Sequence, residues 1–99
     1  MNQMLTLAEK LDQANIPFEI VFMDEDIYSR AGESVPQIWY PSRDEVVCDV
    51  ICHKYSYGGD RGLLEIMGLV SEECDDSVEG YLTAEEVFKR ISAHYNTAK

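Results

Sequence analysis

Val46–Gly68, VVCDVICHKYSYGGDRGLLEIMG, is the stretch whose reading decides the fold, because it has the form of two strands joined by a glycine-rich turn. Val46–Tyr57 is rich in β-branched residues, as a strand should be. SYGGDRG supplies the hairpin turn, with Gly58 and Gly59 free to take positive φ. Leu63–Leu69 returns with Leu64 and Ile66 on one face and Leu63, Glu65 and Met67 on the other. Both faces are substantially apolar, which predicts a strand inside the sheet or one whose second face is covered.

Before this hairpin, Met4, Leu7, Ala8, Leu11 and Ala14 recur at helical spacing and predict an amphipathic first helix. It should stop near Asn15, which tolerates the left-handed cap conformation, since Pro17 disfavours helical geometry at Ile16. Phe18–Met23 reads as a strand with Phe18, Ile20 and Phe22 toward the core. Asp24–Val35 is polar and reads as a loop, and Pro36–Pro41 as a short strand bracketed by prolines. After the hairpin, Val70–Gly80 reads as an acidic connection. Thr83-Ala84-Glu85-Glu86 then matches a capping box, and Ala84, Val87, Phe88, Ile91 and Tyr95 form the apolar stripe of a second helix.

The predicted fold is α+β in the order α-β-β-β-β-α: a mainly antiparallel four-stranded sheet with two helices packed on one face, forming a single domain over residues 1–99. A chain of 99 residues buries about two thirds of its unfolded surface on folding, enough for one core. A hydrophobic share of 45% separates it from disordered chains of comparable charge. No apolar run approaches a membrane span, and MNQMLTLAEKLDQ lacks the basic start and apolar stretch of a signal peptide, so a cytoplasmic protein is expected.

Three cysteines, Cys48, Cys52 and Cys74, are then read as reduced thiols. Together with His53 they resemble a zinc ligand set, but strand geometry opposes it. Cys48 and Cys52 stand ~13 Å apart along a strand, and His53 points to the other face. Cys48 and Cys52 are read as core residues, and no metal or cofactor is expected. Gly58–Gly62 lacks the Gly-Lys-Ser/Thr ending of a phosphate loop, and neither Asp24-Glu25-Asp26 nor Asp75-Asp76-Ser77 has the spacing of an EF-hand loop.

Charge is the more informative feature. Nineteen acidic residues against eight basic ones give a formal net charge of −11, which repels nucleic acid and anionic membranes and attracts a basic surface. Between Leu63 and Phe88 stand eight carboxylates (Glu65, Glu72, Glu73, Asp75, Asp76, Glu79, Glu85 and Glu86) and no Lys or Arg. Glu72, Glu73, Asp75, Asp76 and Glu79, joined by Asp24, Glu25 and Asp26, form a candidate partner-binding set that imitates a phosphate backbone. Trp39, Tyr40, Tyr55 and Tyr57 cannot all be buried on one side of such short strands, and fit equally as interface anchors, Trp39, Tyr55 and Tyr57 foremost, or as the last part of the core. The alternative is a small enzyme or ligand-binding module that uses Asp49, His53 and Tyr55 for acid–base work on the exposed sheet face.

Cys48–Leu69 together with Val78–Ile91, VEGYLTAEEVFKRI, resembles small accessory proteins, largely uncharacterised as a group, encoded by phages and prophages of Gram-positive bacteria. The resemblance covers about the last half of the chain. It implies a phage protein acting in the bacterial cytoplasm, of the anti-defence kind that includes anti-CRISPR proteins seated in the nucleic-acid groove of a nuclease, and it assigns no catalytic residue. The expected function is therefore a non-enzymatic inhibitor that blocks the basic nucleic-acid-binding surface of a bacterial defence protein.

Overall fold

The computed structural model describes residues 3–23, 35–52, 58–71 and 77–98. Helix α1 covers Gln3–Gln13 and helix α2 covers Ala84–Ala98. Between them lie β1 (Glu19–Met23), β2 (Val35–Pro41), β3 (Val46–Ile51), β4 (Leu64–Met67) and β5 (Val78–Leu82). The five strands form one antiparallel sheet in the order β1-β2-β3-β4-β5, each strand beside its neighbour in sequence.

The end of α1 follows from its sequence. Asn15 takes φ 59°, Ile16 N–H donates to Leu11 O (3.0 Å) and Asn15 N–H to Asp12 O (3.1 Å), the hydrogen-bond pair of a Schellman cap. Ile16 and Leu11 are both buried, closing the apolar contact that accompanies such a cap. At the start of α2, Thr83 N–H donates to Glu86 Oε1 (3.0 Å) and Glu86 N–H to Thr83 Oγ1 (3.2 Å), so the capping box is formed. The next amide, Ala84 N–H, donates to Gln3 Oε1 (2.8 Å), which ties α2 to the first turn of α1.

Register divides the sheet into two faces. Ile20, Ile38, Val50 and Ile66 lie opposite one another across β1 to β4, and Ile38, Val50 and Ile66 have no exposed surface. Met4, Leu7 and Leu11 of α1 and Ala84, Val87 and Ile91 of α2 join this row in one core, with Tyr40, Cys48, Leu64 and Leu82 around it. Full burial of each large aliphatic side chain contributes about 1.5–3 kcal/mol. Both helices thus occupy one side of the sheet. Phe18 and Ile20 pack against the core as predicted, while the side chain of Phe22 is outside the described set.

The sheet has five strands where four were predicted. The acidic connection expected through Gly80 ends earlier, and Val78–Leu82 pairs with β4 as an edge strand. A bulge hides this strand from pattern reading. Between the pairs Leu64↔Leu82 and Ile66↔Glu79, β5 spends one more residue than β4, and Tyr81 takes φ 60°. Glu79 and Leu82 therefore share the helix side although three positions apart, and the alternation that marks a strand is lost. β4 consequently lies inside the sheet, but its second face is not covered at Met67, which is 51% exposed.

Strand β3 ends at Ile51, short of the predicted Tyr57, and residues 53–57 lie outside the described set. The turn before β4 is a single 3-10 turn, Gly59–Arg61, flanked by Gly58 (φ 88°) and Gly62 (φ 75°), so positive φ falls on Gly62 rather than on Gly59. Among the described residues no helix is long and apolar enough to cross a membrane.

Gly68 takes φ 88° where β4 leaves the sheet, and a Cβ there would collide with the carbonyl oxygen of Val47. Gly62 has a similar φ, but a Cβ on it meets nothing within 4 Å. Gly62→Ala is expected to cost about 1 kcal/mol from backbone conformation alone, and Gly68→Ala more than about 3 kcal/mol. Urea denaturation of the two variants checks the order, and equal losses would contradict the close approach of Gly68 to β3.

Candidate functional site

The face of the sheet that neither helix covers is built from the alternate residues of the same strands. Glu19, Trp39, Asp49, Met67 and Val78 stand opposite one another across all five strands, and Val21, Gln37, Ile51 and Glu65 form the neighbouring row. None of the five strands contains Lys or Arg. The face thus combines an aromatic, several aliphatic side chains and the carboxylates Glu19, Asp49 and Glu65.

Asp49 is held in place on this face. Gln37 Nε2–H donates to its Oδ2 at 2.8 Å, and Gln37 itself is 8% exposed. Burial pushes the Asp49 carboxyl above its ordinary value, the Gln37 hydrogen bond opposes that shift, and the nearby charge of Glu65 adds to it. The fold therefore holds a partly desolvated carboxylate opposite Trp39 in the next strand.

Asp49 also acts through the sheet on Cys48. Burial, with the Asp49 charge adding to it, pushes the Cys48 thiol up to about 12, so this sulfur is a packed, protonated core group and no nucleophile. Cys52 is half-buried against the core, and burial raises its thiol too. Both are free cysteines. Among the described residues no group of three or more His, Cys, Asp or Glu is arranged to hold a metal ion.

A second polar cluster, on the helix side of the sheet edge, has no counterpart in the sequence reading. Glu79 does not extend an exposed acidic surface; its carboxylate faces α2, where Arg90 Nη1 and Nη2 donate to Oε1 and Oε2 at 2.7 and 3.1 Å. The backbone N–H of Ser71 donates to the same Oε1 (2.8 Å), and Arg90 also donates to Leu69 O (3.3 Å). The Arg90 hydrogen bonds, then that of Ser71, bring the Glu79 carboxyl down to about 2. One turn along α2, His94 Nδ1 shares a 2.8 Å hydrogen bond with the Oη of buried Tyr40, their rings edge-on with centroids 5.5 Å apart. A shallow open groove of about 440 Å³ runs past Arg90 and His94, with Leu69, Val70, Ser71, Ala93 and Thr97 forming its other walls.

Of the candidate residues read from the sequence, Trp39, Asp49 and Glu79 fall within the described set, and they divide between the two faces: Trp39 and Asp49 on the helix-free side, Glu79 on the other. Asp24, Glu25, Asp26, His53, Tyr55, Tyr57, Glu72, Glu73, Asp75 and Asp76 lie outside it. Gln37, Arg90 and His94 were missed as site residues, and Tyr40, read equally as an interface anchor or as core, is buried in the core. The interactions of Gln37 and Arg90 depend on strand register and on the β5 bulge, which no local motif announces. Set against protein-family models, curated proteins and solved structures, the chain finds no match.

The two carboxylates respond to pH in opposite senses. Glu79 is held below its unfolded value, so its stabilising contribution is complete above about 4.5 and is lost as pH falls toward about 2. Asp49 is held above its unfolded value, so taking up a proton on acidification favours the fold. Glu79→Gln is expected to cost about 1 kcal/mol at neutral pH and to flatten the acid loss of melting temperature. Asp49→Asn is expected to raise the melting temperature at neutral pH, with the gain vanishing in acid. Calorimetric scans from pH 7 to pH 2.5 check both signs.

Proposed function

We infer that the protein is a non-enzymatic inhibitor that binds another protein and occupies its basic, nucleic-acid-binding surface, presenting the helix-free sheet face as the contact. The observation that carries this reading is the composition of that face. Glu19, Asp49 and Glu65 surround Trp39 and Met67 on strands that lack any cation, in a chain of net charge −11. An aromatic and a flexible Met supply contact area, and the carboxylates supply complementarity to Lys and Arg. Between β4 and β5 in sequence stand Glu72, Glu73, Asp75 and Asp76, which contribute to the net negative charge of the chain.

The resemblance to phage accessory proteins makes a bacterial defence protein the intended target, in the manner of anti-CRISPR proteins and other mimics of nucleic acid. Catalysis has less support. Cys48 is inert, and Asp49 is engaged by Gln37.

Immobilised protein is expected to retain a basic nucleic-acid-binding protein from bacterial lysate, in an amount that falls as salt rises. The double variant Glu19→Lys/Glu65→Lys and the quadruple variant Glu72→Lys/Glu73→Lys/Asp75→Lys/Asp76→Lys should each retain about tenfold less or lower still, with circular dichroism unchanged. Undiminished retention by both, or retention that rises with salt, would contradict the reading.

A further inference from the structure

On the opposite side of the sheet, α1 presents a second stripe at the margin of its core contacts, where Ala8 and Phe18 still pack against the core. Met4, Leu7 and Leu11 are fully buried. Leu5, Ala8, Glu9 and Asp12 follow one another at i, i+3, i+4 and i+7 and so lie together on the adjoining face of the helix. Leu5 is 54% exposed. An exposed Leu alone means little; here it is part of a shallow, open groove of about 470 Å³, lined by Leu5, Ala8, Glu9 and Asp12 of α1 and by Phe18.

The groove has an apolar floor and a rim of one sign. Leu5, Ala8 and Phe18 make the floor, Glu9 and Asp12 are the charged residues in its lining, and among the described residues no Lys or Arg lines it. Lys10 of α1 is turned to α2, with its Nζ 5.8 Å from the ring centroid of Phe88. A floor of this kind seats an apolar side chain, and two carboxylates one turn apart complement cations at matching spacing on a second helix. A segment carrying Glu or Asp beside its apolar residues is repelled by the rim and by the net charge of −11.

We propose that this groove docks a basic amphipathic helix of a partner protein, with an aliphatic side chain between Leu5 and Phe18 and flanking Lys or Arg side chains on Glu9 and Asp12. The groove and the helix-free sheet face lie on opposite sides of the sheet, so one surface can bind without the other and the two readings fail separately.

The test is a ¹H–¹⁵N NMR titration of the full chain with two 14-residue amphipathic peptides, one of Leu and Lys and one of Leu and Glu. The Leu/Lys peptide is expected to give saturable shifts at residues 5, 8, 9, 12 and 18, and the Leu/Glu peptide none. Leu5→Asn and the double variant Glu9→Gln/Asp12→Asn alter only exposed positions and should each weaken binding at least about tenfold, whereas Met67→Ala, an exposed and uncharged position on the other face, should leave it unchanged. Shifts centred on Trp39 and Asp49 instead, equal response to both peptides, or undiminished binding by Leu5→Asn would overturn the proposal. So would a dimer in sedimentation that Leu5→Asn dissociates, since the groove would then belong to a second copy of the chain.

Discussion

The packing of Ile38, Val50 and Ile66 in one fully buried row is the constraint on which the rest of the structure depends. These residues form the floor on which both helices rest, and they fix the register of the three central strands. A slip of one residue would carry the row to the other face and leave α1 and α2 without an apolar floor. The same register places Trp39, Asp49 and Glu65 on the side the helices leave open. The composition of that surface is therefore a direct consequence of how the core is packed.

The margins of the sheet are held by more specific means. At the β5 edge, the bulge at Tyr81 leaves Glu79 facing the helices, and the bidentate pair with Arg90 clamps the strand to α2. Gly58 lies under the bulge, where a Cβ would come within 2.9 Å of Tyr81 Cα. Tyr40 and His94 make a second link, from β2 to α2. Polar interactions thus position the second helix, while apolar burial supplies the stability. A bulged edge also discourages pairing with another chain.

Features encoded over a few residues were legible in the sequence. The Schellman end of α1 is announced by Asn15 before Ile16-Pro17, and the start of α2 by Thr83 and Glu86. The core role of Cys48 follows from strand alternation, and so does the place of Asp49 on the opposite face. What escaped depends on contacts between distant segments. β5 was hidden because Gly80 resembles a connection and Tyr81 breaks the alternation. Glu79 reads as one more solvated carboxylate because its partner, Arg90, lies 11 residues away on a helix whose orientation the sequence does not specify. The burial of Gln37 beside Asp49 was equally illegible, since a glutamine in a strand ordinarily marks the solvated side.

The central claim is that an acidic, aromatic sheet face occupies a surface that another protein uses to bind nucleic acid. The most direct measurement is competition: duplex DNA or RNA added to the complex formed with a protein captured from bacterial lysate, at constant ionic strength. If the claim holds, nucleic acid releases the captured protein in proportion to its own affinity for it, and the acidic chain in turn inhibits nucleic-acid binding with the same reciprocal dependence. A ternary complex, in which captured protein, nucleic acid and acidic chain remain together at saturation, would contradict it.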